Sequence, residues 1–268
     1  MKSFQEYLTL AKSSKAFAID DSWAQGRSVF GGLTAALLLT HIEANTGFTD
    51  RELRSVNVHF CGALIANEVF DLNHQVISSG KSVTHVQAML TQAGQIKTLI
   101  TCCFASERPS GIKVNANRHE NLPVLSDANK FPFIPGVIPN FIQHIDIRLN
   151  GKNFPFSGSD NQPITGWMKF EAPSDELNDS NILALIDAWP PAVLPLLKQP
   201  APASSVTWNV EFIHPRSQLE ANSALFYECE VAQAQSGLAH TEAKIYSSSG
   251  ELVALSRQVV AVYDQKTN

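Results

Sequence analysis

At 268 residues, with 44% hydrophobic and 17% charged side chains, the chain has an ordinary globular composition and room for one large domain or two of about 130 residues each. The net charge of −5, without a Lys/Arg cluster, argues against nucleic acid as a partner. No stretch is apolar for long enough to span a bilayer, and Met1-Lys2-Ser3-Phe4 lacks the apolar core of a secretory leader. Cys61, Cys102, Cys103 and Cys229 show neither metal nor disulfide spacing, so they are expected to be buried small hydrophobes in a reducing cytoplasm.

In chain order, the apolar spacing of Phe4, Tyr7, Leu8 and Ala11 predicts a short helix over 3–12, and 16–19 alternates like a strand. Gly31-Gly32 then opens a run from Leu33 to Leu39 that is almost entirely Ala and Leu, with helix-favouring composition continuing to Ala44. Such a helix has no polar face and must be buried on most sides. Two glycines at its start allow close approach of another backbone or a ligand and leave the first N–H groups free to donate. Four strands follow, over 55–60, 68–78, 83–91 and 96–104, separated by glycine-containing hairpin turns. A helix followed by an antiparallel meander predicts a curved sheet wrapped around that helix.

Between 107 and 140 five prolines and several Asn and Gly read as a surface linker. Beyond it, strands are expected over 142–149 and 164–171, and a helix over 180–187 that Pro190-Pro191 interrupts. Four further strands are expected over 206–213, 224–234, 239–247 and 252–263. The second set repeats the first. Asn57-Val58-His59-Phe60 matches Asn209-Val210-Glu211-Phe212 at an offset of 152, and the turn glycine Gly94 matches Gly250 at 156. A repeat this long means two copies of one domain. The expected division is 1–106, a linker over 107–140, and 141–268.

Aligning the copies exposes three polar differences. Asp187 interrupts an otherwise apolar helix, Ser205 falls where the first copy has Leu53, and Gln258 falls on Cys102. An ionisable group in an apolar helix needs partners, and a hydroxyl and an amide from neighbouring strands would serve. The alternative is that Asp187 merely caps the proline-broken helix end.

These residues resemble the double-hotdog acyl-CoA thioesterases of type II. The likeness is carried by Gly26-Arg27-Ser28-Val29-Phe30-Gly31-Gly32 and the Ser79-Gly80-Lys81-Ser82 turn in the first half. In the second half it is carried by Asp187, the stretch from Ser205 to Pro215, and Glu251 to Gln258. The resemblance implies an α+β fold of two tandem hotdog domains, each a long helix wrapped by an antiparallel sheet. It implies an acyl-CoA substrate, no cofactor, and a homodimer or larger even oligomer. It also implies that Asp187, Ser205 and Gln258 hold the attacking water, although the family more often has Thr than Ser. Thr207 is a second candidate for the hydroxyl, since plain alternation puts it on the same strand face as Ser205.

The residue types suit thioester hydrolysis. An Asp carboxylate can act as general base, while Ser and Gln orient water without ionising. Backbone N–H groups at a helix start, at Gly31-Gly32 or before Asp187, can stabilise the developing oxyanion and so bind substrate. Trp189, Phe212, Trp208 and Phe60 are the candidates to close the acyl pocket. No Gly-x-Ser-x-Gly elbow or phosphate loop is present. The eight histidines are scattered without metal-ligand spacing, and Asp71-Leu72-Asn73-His74 is the nearest approach to the Asp/His pair of hotdog hydratases. The competing class is an acyl-CoA or lipid-binding double hotdog without catalysis.

Overall fold

The computed structural model describes residues 1–160 and 162–265. Helix α1 (Phe4–Ser13) starts in a capping box, Ser3 and Glu6 each accepting the other's backbone N–H. Strand β1 is only Ala16–Phe17, shorter than the alternation suggested. The chain is turned at Asp20, whose carboxylate accepts from the Lys2 and Ser22 N–H groups and the Tyr7 hydroxyl. A tight hairpin of β2 (Ala24–Gln25) and β3 (Ser28–Val29) leads into α2 (Gly31–Thr46).

Every residue of α2 from Gly32 to Ile42 is buried, which accounts for the missing polar face. Each of its fully buried leucines contributes roughly 1.5–3 kcal/mol. The meander is β4 (Glu52–Phe60), β5 (Phe70–Ser79), β6 (Val83–Gln92) and β7 (Gln95–Ala105). The proline-rich segment that follows carries β8 (Asn129–Lys130), which pairs with β9 (Ile145–Asn150). The strand expected from 142 begins at Ile145 because Asn140–His144 forms a 3₁₀ turn behind Pro139. That turn stacks Phe141 on Phe30, with ring centroids 4.0 Å apart. The chain continues through β10 (Ile164–Phe170), α3 (Asp179–Asp187), β11 (Ala203–Phe212), β12 (Leu225–Gln235), β13 (Leu238–Tyr246) and β14 (Leu252–Val262).

Among the described residues the strands other than β2 and β3, which pair with each other, make one large sheet in the order β1-β5-β6-β7-β4-β11-β14-β13-β12-β10-β9-β8. The order reads the same from both ends of its central eight strands: β4, β7, β6 and β5 correspond to β11, β14, β13 and β12. This is the α+β architecture of two tandem hotdog units, joined edge to edge at the antiparallel β4–β11 seam. Helix α2 packs against β5, β6 and β7 on one side and α1 and α3 on the other. Helices α2 and α3 run antiparallel, since the Thr40 and Ser180 hydroxyls lie 2.9 Å apart and Gly32 approaches the Ala184 carbonyl near the other end.

All four cysteines are free thiols. Cys102 and Cys229 are buried as expected, but Cys61 is exposed, because it follows β4 on the loop that leaves the sheet.

Candidate active site

The three polar residues that distinguish the second repeat converge. Gln258 Nε2 donates to Asp187 Oδ1 at 2.9 Å, and Ser205 Oγ donates to Gln258 Oε1 at 3.4 Å. The Asp187 carboxylate also accepts the backbone N–H of Gly32. A hydrogen-bonded line therefore runs from β11 through β14 to the end of α3 and on to the start of α2. Asp187 is the last residue of α3, and Pro190-Pro191, beginning three residues later, prevents the helix from continuing. Its side chain bonds Gln258 and Gly32 rather than capping its own helix end.

Thr207 does not join this line. The pairing of β11 with β14 slips between Ser205, opposite Val260, and Thr207, opposite Val259. One extra residue, Val206, is accommodated there as a β-bulge, which breaks the alternation that would have aligned the two hydroxyls. Thr207 instead lines a hollow on the other face with His59, Asn209 and Arg257. The first repeat bulges at the matching place, between Leu53 and Ser55 of β4.

The start of α2 completes the constellation. Its N-cap, Phe30, makes no side-chain capping bond, so the first-turn N–H groups are left for other partners. Helix α3 differs, because Asn178 and Asn181 close a capping box over its own first turn. The two glycines are explained by proximity. A Cβ on Gly31 would lie 2.8 Å from Asp187 Oδ2 and 2.7 Å from the Phe60 ring. A Cβ on Gly32 would lie 2.8 Å from the Ala184 carbonyl oxygen and 2.5 Å from the Phe30 ring.

Burial pushes the Asp187 carboxyl up to about 7, against the hydrogen bonds from Gln258 and the Gly32 N–H that favour its ionised form. It is packed on nearly every side yet keeps an opening to a cavity of about 610 Å³. A carboxylate with this value changes ionisation near neutral pH, as a general base requires.

The cavity is built from both halves. The first supplies Arg27, Gly31, Thr34, Phe60 and Thr98, and the second supplies Asp187, Trp189, Ser205 and Gln258. Of the four aromatic residues expected to close it, Phe60 and Trp189 line it. Trp208 and Phe212 are buried in the core instead, with Trp208 Nε1 donating to Ser256 Oγ at 2.8 Å. Sequence reasoning missed Arg27 and the pair Thr34–Thr98, whose buried hydroxyls lie 3.2 Å apart. Thr34 was detectable as the polar interruption of the Leu33–Leu39 run, whereas the Thr98 contact comes from a residue 64 positions away. Asp71 and His74 do not pair with each other: Asp71 is exposed, and His74 Nδ1 lies 3.1 Å from His41 Nε2.

In the first repeat, the counterparts of Ser205 and Gln258 are Leu53 and Cys102, both buried in the apolar core. Among the described residues, no hydrogen-bonded line like that from Ser205 through Gln258 to Asp187 passes through those two positions.

Comparison with known proteins bears on this arrangement. Residues 19–105 match the family model of the acyl-CoA thioesterase N-terminal domain, and residues 119–262 match that of the C-terminal domain. No curated protein matches the chain. Among solved structures, a conserved protein of unknown function with a hot dog fold from Alicyclobacillus acidocaldarius is similar at a TM-score of 0.81 and 22% identity, covering 99% of this chain and 100% of that one. An acyl-CoA thioesterase II from Mycobacterium marinum is similar at a TM-score of 0.73 and 17% identity, covering 98% and 99%. At these identities both likenesses concern the fold.

Proposed function

The chain belongs to the acyl-CoA thioesterase family, and we propose that it hydrolyses acyl-CoA thioesters with a water held by Asp187, Ser205 and Gln258. The observation that carries this reading is the hydrogen-bonded line from Ser205 through Gln258 to Asp187, opening on a cavity beside an uncapped helix start. Ser205 Oγ, donating its O–H to Gln258 Oε1, keeps lone pairs that accept one O–H of the water. The Asp187 carboxylate accepts the other, which turns the water oxygen's lone pair toward the thioester carbon.

In the reaction, the water oxygen bonds to the carbonyl carbon as Asp187 takes its proton. The carbonyl oxygen becomes an oxyanion, stabilised by N–H groups of the first α2 turn at Gly31. When the intermediate collapses, the C–S bond breaks and the electron pair leaves with sulfur. The proton held by Asp187 passes to that thiolate, giving the free acid, the CoA thiol and an ionised Asp187. The test is release of free thiol from a panel of acyl-CoAs. One thiol per thioester consumed is expected. Binding of acyl-CoA without thiol release would overturn hydrolysis in favour of a carrier.

A further inference from the structure

We propose that Arg27 is the anchor for the phosphate groups of the coenzyme, an inference that rests on the acyl-CoA reading of the same cavity. Arg27 occupies the tip of the β2–β3 hairpin, in a two-residue turn whose other member, Gly26, has φ of +63°. Glycine at this position permits the left-handed backbone that so tight a turn demands.

The hairpin is held firmly at its base. Val29 N–H donates to the Leu64 carbonyl at 2.8 Å, Leu64 N–H to Ser28 Oγ at 3.1 Å, and Phe30 N–H to the Trp23 carbonyl at 2.9 Å. The backbone of the turn is therefore fixed over the cavity while the guanidinium stays exposed to solvent. Among the described residues, no carboxylate pairs with it, and it is the sole cation lining the cavity that holds Asp187.

Charge makes this position consequential. The protein carries a formal net charge of −5, and among the described residues the one carboxylate lining the cavity is Asp187, so its field opposes an anionic substrate. A coenzyme A thioester has an uncharged reacting end and, beyond the pantetheine arm, a diphosphate and a further phosphate. A guanidinium presents a fork of N–H donors that fits phosphate oxygens in a bidentate manner. Arg27 at the mouth, with Asp187 and Ser205 inside, matches that separation of anionic handle from neutral thioester.

The experiment compares two thioesters of one acyl group, octanoyl-CoA and octanoyl-N-acetylcysteamine, which share the reacting end but differ in phosphate. Binding of CoA itself is measured in parallel by calorimetry. Arg27→Ala is expected to lower the ratio of kcat/KM for octanoyl-CoA to that for octanoyl-N-acetylcysteamine about tenfold, through KM rather than kcat, and to weaken CoA binding by a similar factor. Arg27→Lys is expected to restore part of both, since charge is kept and the fork is lost. An unchanged ratio together with unchanged CoA affinity would overturn the assignment, as would equal losses on both thioesters, which would mark a structural role. A chain that binds CoA through Arg27 yet releases no thiol from either substrate would uphold the anchor and overturn hydrolysis.

Discussion

Asn57 and Asn209 face each other across the β4–β11 seam, and Asn209 Nδ2 donates to Asn57 Oδ1 at 2.9 Å. They are also the same residue of the duplicated unit, offset by 152 positions. A residue that pairs with its own copy must lie on the internal two-fold axis, so the axis passes through this amide pair. Replacing both with Asp puts like charges directly opposite each other. The double variant should lose Tm at pH 7 and recover it below about pH 4, where carboxylates protonate. Each single variant should stay near wild type, and thermal melts of the three proteins across pH check this.

Asp187 should set the pH dependence of the rate and contribute to that of stability. If it is the base, kcat/KM on an acyl-CoA should rise with pH and level off above about 7. Asp187→Asn should lower the rate about 100-fold or more while keeping the fold. The stability sign follows from a folded value raised above the ordinary one near 4. Between about pH 4 and pH 7 the unfolded chain gives up a proton that the folded chain retains, so the wild type loses stability as pH rises through that window. Asp187→Asn has no such loss, and its Tm advantage should be larger at pH 8 than at pH 5. An advantage independent of pH would mean that the carboxyl titrates normally.

The bulge at Val206 assigns different weights to the two hydroxyls. Ser205→Ala should lower kcat/KM roughly 2- to 12-fold, the value of one hydrogen bond of about 0.5–1.5 kcal/mol expressed in the transition state. Ser205→Thr should be tolerated because a hydroxyl remains. Thr207→Val lies outside the cavity and should stay close to wild type. A crippled Thr207→Val with an active Ser205→Ala would reverse the assignment.

The two glycines of α2 should fail in different ways. At Gly31 the atoms met by a methyl group belong to side chains, the Asp187 carboxylate and the Phe60 ring, which can move aside at the expense of the site. Gly31→Ala should therefore lose activity while its Tm changes little, helped by the better helix propensity of Ala, worth up to about 1 kcal/mol. At Gly32 a methyl meets the Ala184 carbonyl of α3, and the helices must separate. Gly32→Ala should show the larger fall in Tm. Differential scanning calorimetry beside a thiol-release assay separates the two outcomes.

Elements whose signal is local were legible in the sequence. The Ala/Leu run of α2 admits only burial, and the alternating strands of the meander fall within a few residues of their observed bounds. Asp187, Ser205 and Gln258 were legible because duplication supplied an internal reference in which Leu53 and Cys102 stand at the two strand positions. The bulge at Val206 was not, since an extra residue in one strand leaves no mark on composition. It is defined only by the register against β14, and with it goes the face that Thr207 occupies. The 3₁₀ turn at Asn140–His144 escaped for a related reason: Phe141 and Ile142 are apolar in either conformation, and stacking on distant Phe30 accompanies the turn.

The apolar filling at Leu53 and Cys102 has a kinetic corollary. If Asp187, Ser205 and Gln258 hold the attacking water, they are the one such set among the described residues of the 29.3 kDa chain, and turnover should be counted once per polypeptide, although the scaffold holds two copies of the unit. Saturation by acyl-CoA should then be hyperbolic within one chain, as a single centre per chain requires. On that reading the first copy is released from chemistry and serves the second, contributing the α2 start and the Arg27 hairpin, while its own Leu53 and Cys102 are buried in the core.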